Sequence, residues 1–192
     1  MSGGDPLLVL GLGNVICQDD GLGVAAVIRL LEQYRPAPGV RVLDGGTLGL
    51  ALLPTLEAAD TVLIVDAIRS DGPPGTLVRL EGDDVAHAAQ ERLSVHQVGV
   101  SDLIGAARWQ GSLPGRLLLL GLVPESIDLG LERTPAVEAA LPALVDAVRA
   151  ECALLGYPFL PRQADEASSA SRQAVRGVHR ILGLEREEVS HV

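Results

Sequence analysis

The sequence predicts an α/β fold, a mostly parallel sheet with helices on both faces. Three observations carry it. Short apolar runs that read as buried strands by length and flanks alternate with amphipathic stretches of helical period. The runs Thr61–Val65 and Leu117–Leu120 are strand-sized and, Thr61 aside, wholly apolar, as strands covered on both faces are. Polar, turn-forming loops (Gly11–Asp20, Asp44–Gly49 and Asp66–Asp71) fall where such strands end, and in parallel sheets the carboxyl ends of the strands form the ligand site.

Each element has its own warrant. Leu7–Leu10 is an apolar strand ending at Gly11. Gly21–Gln33 carries Val24, Val27, Ile28 and Leu31 at helical spacing behind a cap-like Asp19–Asp20. Val40–Leu43 is a second strand, and Leu48–Leu56 a short helix whose limit Pro54 blurs. Thr61–Val65 is the clearest buried strand and runs into Asp66. The Gly72-Pro73-Pro74-Gly75 turn leads to an edge strand or hairpin arm over Thr76–Leu80. Asp83–Arg92 holds a turn or two of helix, Gln97–Ala107 a moderately amphipathic helix, and Arg116–Leu120 another buried strand. Thr134-Pro135 reads as a cap followed by a first-turn proline. That helix is expected to reach about Leu155, with a kink or restart at Pro142. Beyond Arg162 a Ser/Ala-rich linker precedes Ala174, Val175, Val178, Ile181 and Leu182, which recur at helical spacing.

Composition narrows the function. The 192 residues, 20.0 kDa in all, suit one domain. A hydrophobic content of 47% and a mean hydropathy of +0.30 provide an aliphatic core and exclude wholesale disorder. No apolar run approaches the roughly 18–20 residues of a membrane span. The net charge of -10 disfavours a phosphate backbone as partner. All 15 basic residues are arginine, which removes Schiff-base lysine chemistry and the P-loop lysine. Cys17 and Cys152 make neither a disulfide framework nor a closed zinc site. Met1–Pro6 lacks a basic segment before an apolar one, so the expected compartment is the cytoplasm.

Three constellations can carry chemistry. Gly11-Leu12-Gly13-Asn14 invites a dinucleotide reading, but the third glycine of that fingerprint falls on Ile16, and Asp19 and Asp20 would repel a pyrophosphate. One acid suffices to cap a helix; a second beside it gains little unless a cation is present. Asp66 emerges from its apolar strand at the same sheet edge as Asp20, as either a turn carboxylate or a ligand. His96 lies at a loop-to-helix junction, as cap or ligand. His87 reads as a surface residue, and His179 and His191 lie in the tail. Two carboxylates and an imidazole make a three-ligand site suited to nickel, zinc, manganese or iron. Cys17 stands near enough in sequence to add a soft ligand, though a small apolar role suits it better.

Taken together, Gly11-Leu12-Gly13-Asn14, Asp19-Asp20-Gly21-Leu22-Gly23, Asp44-Gly45-Gly46-Thr47-Leu48-Gly49, Ile64-Val65-Asp66-Ala67, Ser94-Val95-His96-Gln97 and Gly121-Leu122-Val123-Pro124-Glu125 resemble, in order and spacing, the nickel–iron hydrogenase maturation proteases. The similarity spans about Leu7 to Arg162. It implies a three-layer α/β fold with a twisted, mostly parallel five-stranded sheet, in one domain over residues 1–162 followed by a tail over 163–192. It also implies an aspartyl-type endopeptidase that removes the C-terminal extension of a hydrogenase large-subunit precursor after nickel insertion, behind the basic residue that closes the precursor's C-terminal cysteine motif. The family's metal-binding acids fall on Asp20 and Asp66 and its histidine on His96. Cys17 and the tail lie outside the pattern.

The expectation is therefore a cytoplasmic, monomeric peptidase with Asp20, Asp66 and His96 at the metal and Asp19 as candidate general base. Its partner is the nickel-loaded precursor, with neither nucleic acid nor membrane; zinc or cadmium is expected to replace nickel in vitro. Gly45 and Gly46 are expected to keep their loop low for an incoming peptide. The same triad also suits a non-catalytic nickel chaperone or checkpoint module, and the glycine loop leaves a nucleotide-binding domain as a third reading.

Overall fold

The structure, a computed structural model, describes residues 5–90 and 100–162. A five-stranded sheet forms its middle layer, built from β1 (Asp5–Leu12), β3 (Val40–Gly46), β4 (Ala59–Ala67), β5 (Leu77–Glu81) and β6 (Arg116–Leu122) in the order β3-β1-β4-β6-β5. The first four of that order pair in parallel, and β5 lies antiparallel on the edge against β6. The mostly parallel five-stranded expectation and its edge strand are thus met. The tail expected over 163–192, with its linker and helix, lies outside the described residues.

Strand residues send alternate side chains to opposite faces, and the core divides accordingly. Leu7, Val9, Leu63, Val65, Leu118 and Leu120 face one layer, made by α1 (Leu22–Gln33) and α5 (Pro135–Leu154). Leu8, Leu10, Val62, Ile64, Leu117 and Leu119 face the other, made by α2 (Leu53–Glu57), α3 (Asp83–Gln90) and α4 (Val100–Gln110). This two-sided burial is why the central strands carry unbroken apolar runs.

Local expectations fare unevenly. The Asp19–Asp20 pair does not cap α1: those residues form a 3-10 turn over Gln18–Gly21, and the cap position falls on Gly21 without a side-chain hydrogen bond. Pro54 stands in the first turn of α2 and so begins that helix; the residues before it, Gly49–Leu52, are a 3-10 turn. Pro135 starts α5 as expected, but the Thr134 hydroxyl is directed elsewhere and makes no cap bond. The kink or restart expected at Pro142 is absent, since α5 runs unbroken through it. Val137, Leu141, Leu144, Val145 and Val148 bury the face around the proline, and that packing offsets one lost backbone bond. A short antiparallel pair that the sequence did not suggest, β2 (Tyr34–Arg35) with β7 (Leu160–Pro161), ties the end of α1 to the segment after α5. No described helix is long and apolar enough to cross a membrane.

Candidate active site

The site is assembled by close backbone approach. Gly13 turns the chain out of β1 with φ at +118°, and a Cβ there would lie 1.8 Å from the Asp20 carbonyl oxygen. Gly23, in the first turn of α1, would place a Cβ 2.1 Å from the Val65 carbonyl oxygen and 2.4 Å from that of Leu12. Bare glycine thus lets the start of α1 rest directly on the ends of β1 and β4. The turn bearing Asp20 is thereby brought to the strand end bearing Asp66.

Both carboxylates are nearly out of water, Asp20 at 1% exposure and Asp66 at 4%. The Asn14 N–H donates to Asp20 Oδ2 in a short contact, and the Ala67 N–H donates to Asp66 Oδ1 at 2.8 Å. Carboxylate oxygens are the donor type that hard divalent cations take, which is the chemistry this edge offers. The third expected ligand, His96, lies outside the described residues, and among the described residues no group of three metal-ligating side chains gathers. His179 and His191 also lie outside them, and His87 is exposed on α3.

Asp19 has a different task. Its carboxylate is fully buried and accepts four hydrogen bonds, from the N–H groups of Glu125, Ser126 and Thr134 at 2.9, 3.1 and 2.7 Å and from the Thr134 hydroxyl at 2.8 Å. Both oxygens are committed to holding the segment between β6 and α5. That commitment weighs against the general-base role expected for Asp19 and makes it a positioning residue. The sequence offered no sign of it, because its partners stand more than a hundred residues away.

Asp44, at the carboxyl end of β3, was not singled out from the sequence. It is half-buried, and burial pushes its carboxyl above the usual carboxylate range, against the opposing pull of a Gly46 N–H at 3.0 Å. Its place at a strand end and within the stretch Asp44–Gly49 that resembles the family were the available signals. Gly45 answers to packing rather than to an incoming peptide: a Cβ there would come within 3.0 Å of buried Leu10, Leu12 and Leu52. Gly46 takes a left-handed φ of +45°, and a Cβ there would meet Asp44 Oδ1 at an ordinary contact distance of 3.7 Å.

A cavity of about 310 Å³ opens past the ends of β4 and β6, lined by Arg69, Ser70, Val123, Pro124, Glu125 and Ser126. Its lining begins at Arg69, three residues past Asp66 in the chain. Cys152 cannot serve as a nucleophile there, since it is buried on α5 and burial pushes its thiol up to about 12. Cys17 is half-buried in the Asp20 loop, where it pairs backbone to backbone with Gly130. Beside it, Gln18 holds a left-handed φ of 43°, and its side-chain oxygen is buried without a partner among the described residues.

This architecture has relatives. Residues 24–151 match the family model for hydrogenase maturation proteases. The hydrogenase 2 maturation protease of Escherichia coli is 36% identical over 159 residues, covering 82% of this chain and 97% of that protein. The hydrogenase expression/formation protein HupD of Rhodobacter capsulatus is 42% identical over 146 residues, covering 74% and 70%. The solved structure of the maturating endopeptidase HybD from E. coli superposes with a TM-score of 0.76 at 35% identity, over 81% of this chain and 97% of that one. The [NiFe] hydrogenase maturation protease HybD of Thermococcus kodakarensis gives 0.59 at 29% identity, over 76% and 97%. Matched along most of its length in sequence and in fold, with the paired acids at the ligand edge of the sheet, the chain belongs to the hydrogenase maturation protease family and is a peptidase.

Proposed function

We propose that this endopeptidase removes the C-terminal extension of a nickel–iron hydrogenase large-subunit precursor once nickel has been inserted, and that Asp20, Asp66 and His96 recognise the metal seated in that precursor. One observation carries the reading. Two almost wholly buried carboxylates, Asp20 from the turn after β1 and Asp66 from the end of β4, share the carboxyl edge of a parallel sheet. Paired anions in such a place are relieved by a divalent cation, and nickel arriving with the substrate supplies one. The metal is then part of what is recognised, so an unloaded precursor lacks the group that completes the site.

When bound, nickel supplies Lewis acidity at the scissile carbonyl or at an attacking water. The chain's own residues orient the metal and exclude solvent from it. Asp44 suits proton transfer better than Asp19, because its raised carboxyl sits at the same edge while both Asp19 oxygens are already bonded. The protein acts in this reading as a cytoplasmic monomer.

Intact mass of the partner large subunit, from cells with and without this gene, tests the proposal. The deletion strain should accumulate the heavier precursor. Wild type should restore the mature mass, and Asp20→Asn and His96→Ala should not. Mature mass in the Asp20→Asn strain would remove the metal-recognition site. Nickel-dependent binding of the precursor without any cleavage would favour the chaperone or checkpoint module instead.

A further inference from the structure

We infer that Ile16, Leu129 and Leu131 form a docking platform for the substrate polypeptide beside the candidate active site, an inference that rests on the proposed function. The segment between β6 and α5 lies along the loop between β1 and α1. The Gly130 N–H donates to the Ile16 carbonyl at 3.0 Å, the Gln18 N–H to the Gly130 carbonyl at 2.9 Å, and the Asp19 N–H to the Ser126 carbonyl at 3.1 Å. Cys17 and Gly130 are bridge partners. A Cβ at Gly130 would lie 2.9 Å from Gln18 Cγ, so the Gln18 side chain packs directly over the bare backbone there. The Asp19 carboxylate fastens the same segment at Glu125, Ser126 and Thr134.

Loops held this firmly have the means to turn apolar side chains inward. Here Ile16 is 51%, Leu129 82% and Leu131 77% exposed. Apolar groups fixed in water contribute nothing to the fold and mark a surface kept for a partner. Two further features identify the partner. Ile16 stands four residues before Asp20 in the same loop, which puts the platform on the loop that bears a site carboxylate. Its rim is acidic, with Glu125, Asp128 and Glu132 exposed, while Arg133 is drawn away to Glu138 at 2.8 Å. The occupant is therefore a polypeptide segment with apolar side chains and at least one cationic one, adjoining the bond that is cut.

The test measures cleavage of nickel-loaded large-subunit precursor, purified from cells lacking the protease, by the full chain. Leu129→Ser with Leu131→Ser should raise KM about tenfold and leave kcat within about twofold, since an exposed docking contact acts on binding and not on the chemical step. Ile16→Ser should move KM the same way from the other loop. Glu132→Gln should raise KM about threefold at low salt and match wild type at high salt. An unchanged KM in the double variant and in Ile16→Ser, with the unaltered chain active, overturns this inference alone. No cleavage by the unaltered chain overturns the proposed function and this inference with it. A dimer in sedimentation that the double substitution splits assigns the platform to a second copy of the chain, and so overturns it too.

Discussion

Asp19 and Asp20 are neighbours of identical chemistry with opposite assignments. Both are buried, but Asp20 stands at the carboxyl edge of the sheet with the Asn14 N–H on one oxygen, whereas Asp19 lies under four donors. Replacing Asp19 by Asn puts amide hydrogens against at least the Thr134 N–H and weakens the remaining bonds by removing the charge. The expected cost is about 3 kcal/mol of stability, read by urea denaturation, with cleavage falling as the segment over 125–134 loosens. Asp20→Asn keeps an oxygen for the Asn14 N–H and should stay within roughly 1 kcal/mol of wild type while losing cleavage. Sequence reasoning singled out the pair but divided the labour between cap, ligand and base. It had no access to the division observed, because the deciding partners of Asp19 lie in another segment. Asp20 and Asp66 were legible, since an apolar strand or a glycine turn delivers each to a predictable edge.

At the scale of elements, packing decides where local rules compete. The central strands were legible because each is an unbroken apolar run, and both faces of the sheet demand that. The helix boundaries were less so. Pro142 carries a local signal to break α5, yet the buried stripe from Val137 to Val148 outweighs it. Thr134 carries a cap signal, yet its hydroxyl is taken by Asp19. The β2–β7 pair rests on two residues from each strand and leaves no periodic trace. The contact between α1 and the sheet depends on Gly23. Gly23→Ala would drive a methyl into the carbonyls of Val65 and Leu12, lifting the helix start from the sheet. A loss of about 2–3 kcal/mol is expected in thermal or urea unfolding. Cleavage should fall further than stability alone explains, because the same contact sets Asp20 against Asp66.

For the whole molecule, charge closes what apolar packing leaves open. Edge strand β5 is fastened to α5 by Arg79, whose guanidinium meets the Glu151 carboxylate through two bonds of 2.9 Å and also reaches Glu81 at 2.7 Å. Arg116 meets the other Glu81 oxygen at 2.7 Å. Hydrogen bonding to Arg79 lowers the Glu151 carboxyl below its usual 4.5, outweighing the upward push of burial. A lowered carboxyl lends stability above about pH 4.5, and that stability is lost as pH falls through the lowered folded value. Glu151→Gln should flatten this part of the acid-unfolding curve and cost about 1 kcal/mol near neutrality, a modest figure because Arg79 stays 42% exposed. The same bonds occupy the edge of the sheet with charged groups, which discourages pairing with a second sheet.

The bond between Asp19 and Thr134 joins positions 115 residues apart. The first loop of the site is therefore not secured until the last strand of the sheet has been made and α5 has begun. A growing chain that has already exposed Asp20 still lacks the segment that braces its neighbour. The brace on that loop is available only to a chain that already reaches Thr134.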